Sequence, residues 1–172
     1  MPGDLPDDLT IRRIAADEAA VLREVRLRML LVDPASFSAT HASEAAEADE
    51  HWAERAHRLA GGDDATQLLA LDRSGPVGTV VVVRDEGDCA LFHLYSMWVA
   101  PERRGHGLGA HLLAAAEAWI EGVGGREAEL SVTSAAPVAA RLYARSGYVP
   151  DGRETPSPHT PGLIERSLRK RL

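Results

Sequence analysis

Val21, Leu22, Val25, Met29 and Val32 recur at helical spacing, with Arg23, Glu24 and Arg28 on the other faces, and predict an amphipathic helix. Asp17 is placed to cap it, and Asp33-Pro34 ends it. Residues 9–15 ahead of it read as a short strand, and residues 1–8 as a loose leader. A second helix is expected over 42–59, stopped by Gly61-Gly62; its face is poorly apolar, which suggests a surface or rim position. The period then changes. Residues 67–71, the valine-rich 77–83 and 90–99 read as strands joined by turns at 72–75 and 85–88.

Beyond Pro101 and a glycine cluster, a helix over 108–121 buries a stripe of Leu108, Leu112, Ala115, Ala116 and Trp119. A strand at 127–133 follows, then a short helix at 137–146, opened by proline and closed by Gly147. Residues 149–162 hold four prolines and are expected to be mostly irregular before a last strand at 163–168. Turn-connected strands followed by helical crossovers imply a mixed sheet with helices on both faces, an α/β or α+β fold.

The length of 172 residues suits one domain, taken as 9–172, with room for a sizeable core. A net charge of -7 with no basic run before the last few residues argues against a nucleic-acid partner. The single cysteine, Cys89, excludes an intrachain disulfide and a thiolate zinc cluster, and no metal is expected. Placed in a strand, Cys89 reads as a small core residue. The N-terminus lacks a signal-peptide pattern, and the longest apolar stretches are too short to span a bilayer, so a soluble cytoplasmic protein is expected, with no membrane partner.

The most informative segment runs from Val99 through Arg104, Gly105, His106, Gly107, Leu108, Gly109 and Ala110. Alternating glycines open an amphipathic helix directly after a strand. Glycine lets a ligand approach the main chain, and the first amides of a helix lack internal partners while the helix dipole makes them positive. Such a loop holds a phosphate or pyrophosphate without lysine, and Arg104 and Arg103 could add charge-assisted contacts. A kinase-type GxxxxGK[ST] loop is absent. The dinucleotide pattern GxGxx[GA] is met formally by Gly105, Gly107 and Ala110, but the first glycine is far from the strand end and the next strand ends in Thr133-Ser134, not an acid. A glycine-rich turn with no ligand is the third reading.

Arg104-Gly-His-Gly107-Leu-Gly109 resembles the [RQ]-x-x-G-x-[GA] pyrophosphate loop of the GNAT superfamily of N-acetyltransferases. The preceding Tyr95-Ser-Met-Trp-Val-Ala-Pro101 strand fits that context. About 35 residues later, Ala139-Ala-Arg-Leu142-Tyr143 to Gly147-Tyr148 is similar to the family's A-x-x-L-Y-x-x-x-G-[FY] element. The resemblance implies a mostly antiparallel mixed sheet with two parallel strands splayed at an acetyl-CoA cleft. It implies that the Met97-Trp98-Val99 strand lies along the cofactor, with Met97 and Val99 offering main-chain groups and one amide polarising the thioester carbonyl. Residues 104–110 would hold the pyrophosphate, and Tyr143 would serve the leaving thiolate. The family often has asparagine where Ala136 stands, so Ser134 is a candidate replacement.

Attack by an amine needs a base. Glu44, His93, Tyr95 and Glu86 are candidates, with His93 expected on the same strand face as Met97 and Val99. The expected acceptor is a small-molecule primary amine, with a protein N-terminus or lysine as the alternative and a non-catalytic acyl-CoA sensor as a different class. A homodimer is common among similar proteins.

Overall fold

The computed structural model describes residues 5–157 and 162–172. Four segments open the chain: β1 (Thr10–Arg13), α1 (Ala19–Val32), α2 (His41–Ala45) and α3 (Asp49–Ala60). The meander β2 (Ala65–Asp72), β3 (Gly75–Arg84) and β4 (Leu91–Val99) follows, then α4 (Leu108–Gly122), β5 (Glu127–Thr133), α5 (Pro137–Arg145), β6 (Val149–Pro156) and β7 (Ile164–Arg171). All seven strands form one sheet in the order β1-β2-β3-β4-β5-β7-β6. Every neighbouring pair is antiparallel except β4 and β5. This is the mixed, helix-flanked sheet the sequence predicts.

Helices cover both faces. A Cβ on Gly78 of β3 would meet Leu112 of α4 at 3.0 Å, so that side chain position faces α4. Its neighbour Thr79 points the other way. There Trp98, the register partner of Thr79, donates from Nε1 to Asp33 at the end of α1 at 2.7 Å. The core on the two faces includes Leu22, Val25 and Met29 of α1 and Leu112, Leu113 and Ile120 of α4, all essentially inaccessible to water. The turn after α4 needs glycine at 125, where a Cβ would lie 2.6 Å from the Phe92 ring.

The structure corrects several local expectations. The helix expected over 42–59 is two. Thr40 and Ser43 form a reciprocal capping box on α2, and Asp49 and Glu50 favour a fresh start at the positive end of α3. Nor is α3 a bare rim helix, because Trp52, Ala56 and Leu59 make a narrow buried stripe. Asp17 does not cap α1. Glu18 holds the cap position, and its carboxylate instead accepts from the Ala15 amide at 2.8 Å and from Arg12. In α4, Leu113 and Ile120 are buried where Ala115 and Trp119 are only partly covered.

Residues 149–156, expected to be irregular, form β6. It is the exposed edge of the sheet, so no apolar alternation marks it, and an edge strand tolerates Pro150 and Pro156. Residues 158–161 of that expected loop lie outside the described residues. Cys89 is exposed in the β3–β4 turn rather than buried in a strand. Of the leader, residues 1–4 lie outside the described residues, whereas Leu5 packs on the core and Asp8 accepts from Arg103 at 2.7 Å.

The irregularity that matters most is in β4. Val81 pairs with Tyr95 and Thr79 with Trp98, so one residue of β3, Val80, lies opposite two of β4, Ser96 and Met97. The extra residue forms a β-bulge, and Ser96 there has φ 51°, the only positive φ among the described non-glycine residues. A one-residue insertion reverses the side-chain alternation beyond it. Phe92, before the bulge, stacks edge-on against Trp119 of α4, whereas after it Met97 and Val99 approach Gly109 of α4. His93 therefore lies on the opposite face from Met97 and Val99, contrary to the unbroken alternation expected from sequence. No helix among the described residues is long and apolar enough to cross a membrane.

Candidate active site

The parallel ladder between β4 and β5 is short. It pairs Leu91, Phe92 and His93 with Glu127, Ala128 and Glu129, and then stops. β5 continues to Thr133 on β7, and β4 continues to Val99 on β3, so the two strands diverge. The wedge between them is a cleft of about 700 Å³. Its walls include His93, Tyr95, Ser96 and Met97 of β4, Glu129 of β5 and Tyr143 of α5. Ser96 and Met97 have no register partner on β3 and lie beyond the β5 pairing.

A short 3₁₀ turn, Pro101–Arg103, carries β4 to the start of α4. Gly105 and Gly107 have φ 81° and 82°, and a Cβ on either would meet nothing within 4 Å. Left-handed backbone facing open space is a cradle that side chains would fill, at the positive end of a helix. Gly109 is different: a Cβ there would lie 3.1 Å from Leu142 of α5, with Met97 and Val99 next. It lets α4 pack closely on β4 and α5, which sets the cradle against the Met97 wall of the cleft. Leu108 is buried and anchors the same turn, Ala110 is half-buried behind it, and the His106 ring bonds the Arg104 carbonyl at 2.8 Å.

The arginines of the loop are tied to neighbouring carboxylates. Arg104 donates from Nε to the Val99 carbonyl at 2.9 Å and from Nη2 to Asp33, and Arg103 binds Asp72 and Asp8. Beside the main-chain amides, Arg104 keeps Nη1 on an exposed side chain for an anion. Trp98 is buried with its indole on the α1 face, and of the 97–99 segment Met97 alone lines the cleft, because Val99 is paired with Gly78 and gives its carbonyl to Arg104. Ser134 does not line it either. Its amide donates to the Ile164 carbonyl at 2.8 Å and its Oγ accepts from the Ile164 amide, whereas Ala136 forms part of the wall.

Tyr143 is 8% exposed, and burial pushes its hydroxyl up to about 12. The hydroxyl has no hydrogen-bond partner among the described residues, and the ring leans on Tyr148 at 6.1 Å between centroids.

The base candidates separate clearly. His93 Nε2 is 2.9 Å from Asp85 Oδ2, and Nδ1 is 3.6 Å from Glu129 Oε1. Asp85 also accepts the Gly87 and Asp88 amides, both at 2.8 Å, and the His93 bond with these amides holds its carboxyl below the usual range. Burial alone would raise Glu129, but hydrogen bonds from Arg169 and Arg153 outweigh it and keep it ionised. Tyr95 stacks on His93 and is pushed up by burial and by the charges of Glu129 and Asp85. Glu86 is exposed on the turn.

Glu44 is elsewhere. It does not line the cleft, and both its oxygens are engaged, Oε1 by Arg26 at 2.9 and 2.7 Å and Oε2 by Arg55 at 3.2 Å. Burial opposes ionisation, but the two arginines hold the carboxyl below its ordinary range. Asp85 and Glu129, absent from the residues singled out in sequence, become visible only when the turn and β5 are brought against His93.

A family model described as acetyltransferase (GNAT) domain matches residues 63–150, which span the meander, α4, β5 and α5. No curated protein matches the sequence. Among solved structures, a GNAT-family acetyltransferase of Streptococcus pneumoniae superposes with TM-score 0.82 at 23% identity, over 95% of this chain and 99% of that one. The yncA protein of Salmonella typhimurium, solved with its cofactor acetyl-CoA, gives 0.74 at 17% identity over 96% and 95%. NAA60 of Arabidopsis thaliana, in complex with a bisubstrate analogue, gives 0.69 at 16% over 95% and 97%. With more than half its length matched by the family model and its whole described fold shared, the chain belongs to the GNAT family of acetyltransferases.

Proposed function

We propose that the protein transfers an acetyl group from acetyl-CoA to the primary amine of a small molecule, by direct attack with both substrates in the cleft. The observation that carries this reading is the divergence of β4 and β5 beyond His93 and Glu129, beside a glycine cradle at the start of α4. Acetyl-CoA supplies the acetyl group activated as a thioester. The amides of residues 105–109 would hold its pyrophosphate, and the main chain at the Ser96–Met97 bulge would line the pantetheine, with the Met97 amide donating to the thioester oxygen.

Tyr143, protonated at every physiological pH, donates a hydrogen bond to the leaving sulfur. A thiol titrates near about 8.5, so full proton transfer from this phenol is uphill, and stabilisation of the thiolate is its contribution. On the acceptor side, His93 is the base we favour. With Nε2–H donated to Asp85, Nδ1 is left as an acceptor beside the ionised Glu129. An alkyl ammonium, which titrates near about 10.4, fits between two such acceptors: Glu129 attracts it and His93 takes its proton.

Calorimetric titration with acetyl-CoA, with NADH as control, followed by CoA-thiol release over a panel of small amines and amine-bearing peptides, tests the reading. Binding with release on a small amine supports it. Release confined to peptides moves the acceptor to proteins, and binding without release on any amine supports a sensor. Absence of acetyl-CoA binding overturns it.

A further inference from the structure

We propose that Arg26 is a positioning residue, which pins Ser96 in its left-handed conformation and thereby holds open the β4 bulge that lines the cleft. The inference rests on the acetyltransferase reading for its kinetic consequence, but not for its structural one.

Serine adopts positive φ at a cost, and Ser96 is the only described non-glycine residue that does so. Something must hold it there. Arg26, on α1, is 8% exposed and lines the cleft, and its Nη1 donates to Ser96 Oγ at 3.1 Å. An arginine on a side chain this buried needs its own counter-charge. Glu44 of α2 supplies it through two bonds to Nε and Nη2, and Arg55 of α3 fixes the other oxygen of Glu44. A relay of side chains from three helices, Arg55 to Glu44 to Arg26, therefore ends on one hydroxyl of the bulge. The pin reaches across the fold to the bulge, where Ser96 and Met97 have no register partner on β3 and lie beyond the β5 pairing. Without it, a straight β4 would pair those groups with β3 and return Met97 and Val99 to the other face.

Two substitutions at position 96 separate the pin from simple occupancy. Ser96→Ala removes the acceptor of Arg26 and keeps the steric cost of positive φ, while leaving the Arg26–Glu44 pair intact. Ser96→Gly removes the same hydroxyl but lets the backbone adopt φ 51° freely. The alanine variant is expected to lower kcat on the order of tenfold, the penalty of an unsupported left-handed residue. The glycine variant should keep most of the wild-type kcat. In the ligand-free protein, amide hydrogen exchange at positions 96 and 97 should change in Ser96→Ala while that of β5 stays as in wild type. Equal loss in both variants would assign the effect to the hydroxyl itself, and no loss in either would remove the pin; each overturns the proposal. The exchange measurement needs no substrate, so it decides the pin even if the protein binds no acetyl-CoA, a result that would instead sink the proposed function.

Discussion

His93 is tethered to Asp85 across the β3–β4 turn, with Nε2 2.9 Å from the carboxylate, while its other nitrogen faces Glu129 in the cleft. One ring nitrogen is thus held from behind, and in the proposed reaction the other would take the proton of the amine. His93→Gln keeps a polar side chain but removes the base, and should lower kcat at least about 100-fold while acetyl-CoA binding persists. Asp85→Ala should lower kcat less, because the imidazole remains. Steady-state kinetics of the two variants check this order; an unchanged kcat in His93→Gln removes the histidine from the chemistry.

Tyr143→Phe deletes a hydroxyl with no partner among the described residues. Folding stability should therefore stay at the wild-type level, while kcat falls by roughly 10- to 100-fold for want of a donor at the leaving sulfur. Thermal melting and kinetics on one preparation separate the two effects. A normal kcat would make Tyr143 a packing residue only.

Gly107 and Gly109 should respond differently to valine. At Gly107 the side chain enters open space on a left-handed backbone, so stability falls by about 1–2 kcal/mol and acetyl-CoA binding is lost. At Gly109 it meets Leu142, Met97 and Val99, so overpacking of about 1–3 kcal/mol is the main effect. Urea unfolding beside calorimetric binding distinguishes them; normal acetyl-CoA binding by Gly107→Val would exclude the cradle.

Asp72 gives a pH signature away from the cleft. The Ser74 hydroxyl at 2.6 Å, opposed by burial and aided by Arg103, holds its carboxyl near about 2 against an ordinary 3.8. A depressed folded value means that the stabilisation is complete above 3.8 and disappears as pH falls through about 2. Asp72→Asn should thus be less stable than wild type at pH 7, with the difference shrinking below pH 3.8. A difference in urea midpoint that does not vary with pH would contradict this.

Much of this architecture is legible in the sequence because burial imposes a period. The valines of β3 and the leucines of α4 announce their elements, and the 104–110 and 139–148 blocks place the family. What escaped has physical causes. β6 is exposed along its whole length, so no hydrophobic alternation records it. The α2–α3 break follows from capping at Thr40 and a second acidic helix start. The bulge at Ser96 carries no glycine or proline to betray it, and its side-chain partner Arg26 is 70 residues away in the sequence. Once it is missed, His93 is assigned to the wrong face.

The three-rung parallel ladder of β4 and β5 also has a mechanical meaning. It is the seam joining a β1–β4 half of the sheet to a β5–β7 half, and past His93 the two halves are not hydrogen-bonded to each other. A donor arm lying in the wedge would act as a surrogate strand and close the seam. Folding stability would then track supply of the donor: at a concentration 100 times its Kd, the protein would gain about 2.7 kcal/mol. The resistance of this chain to unfolding in a cell would thus report how much acyl donor that cell holds.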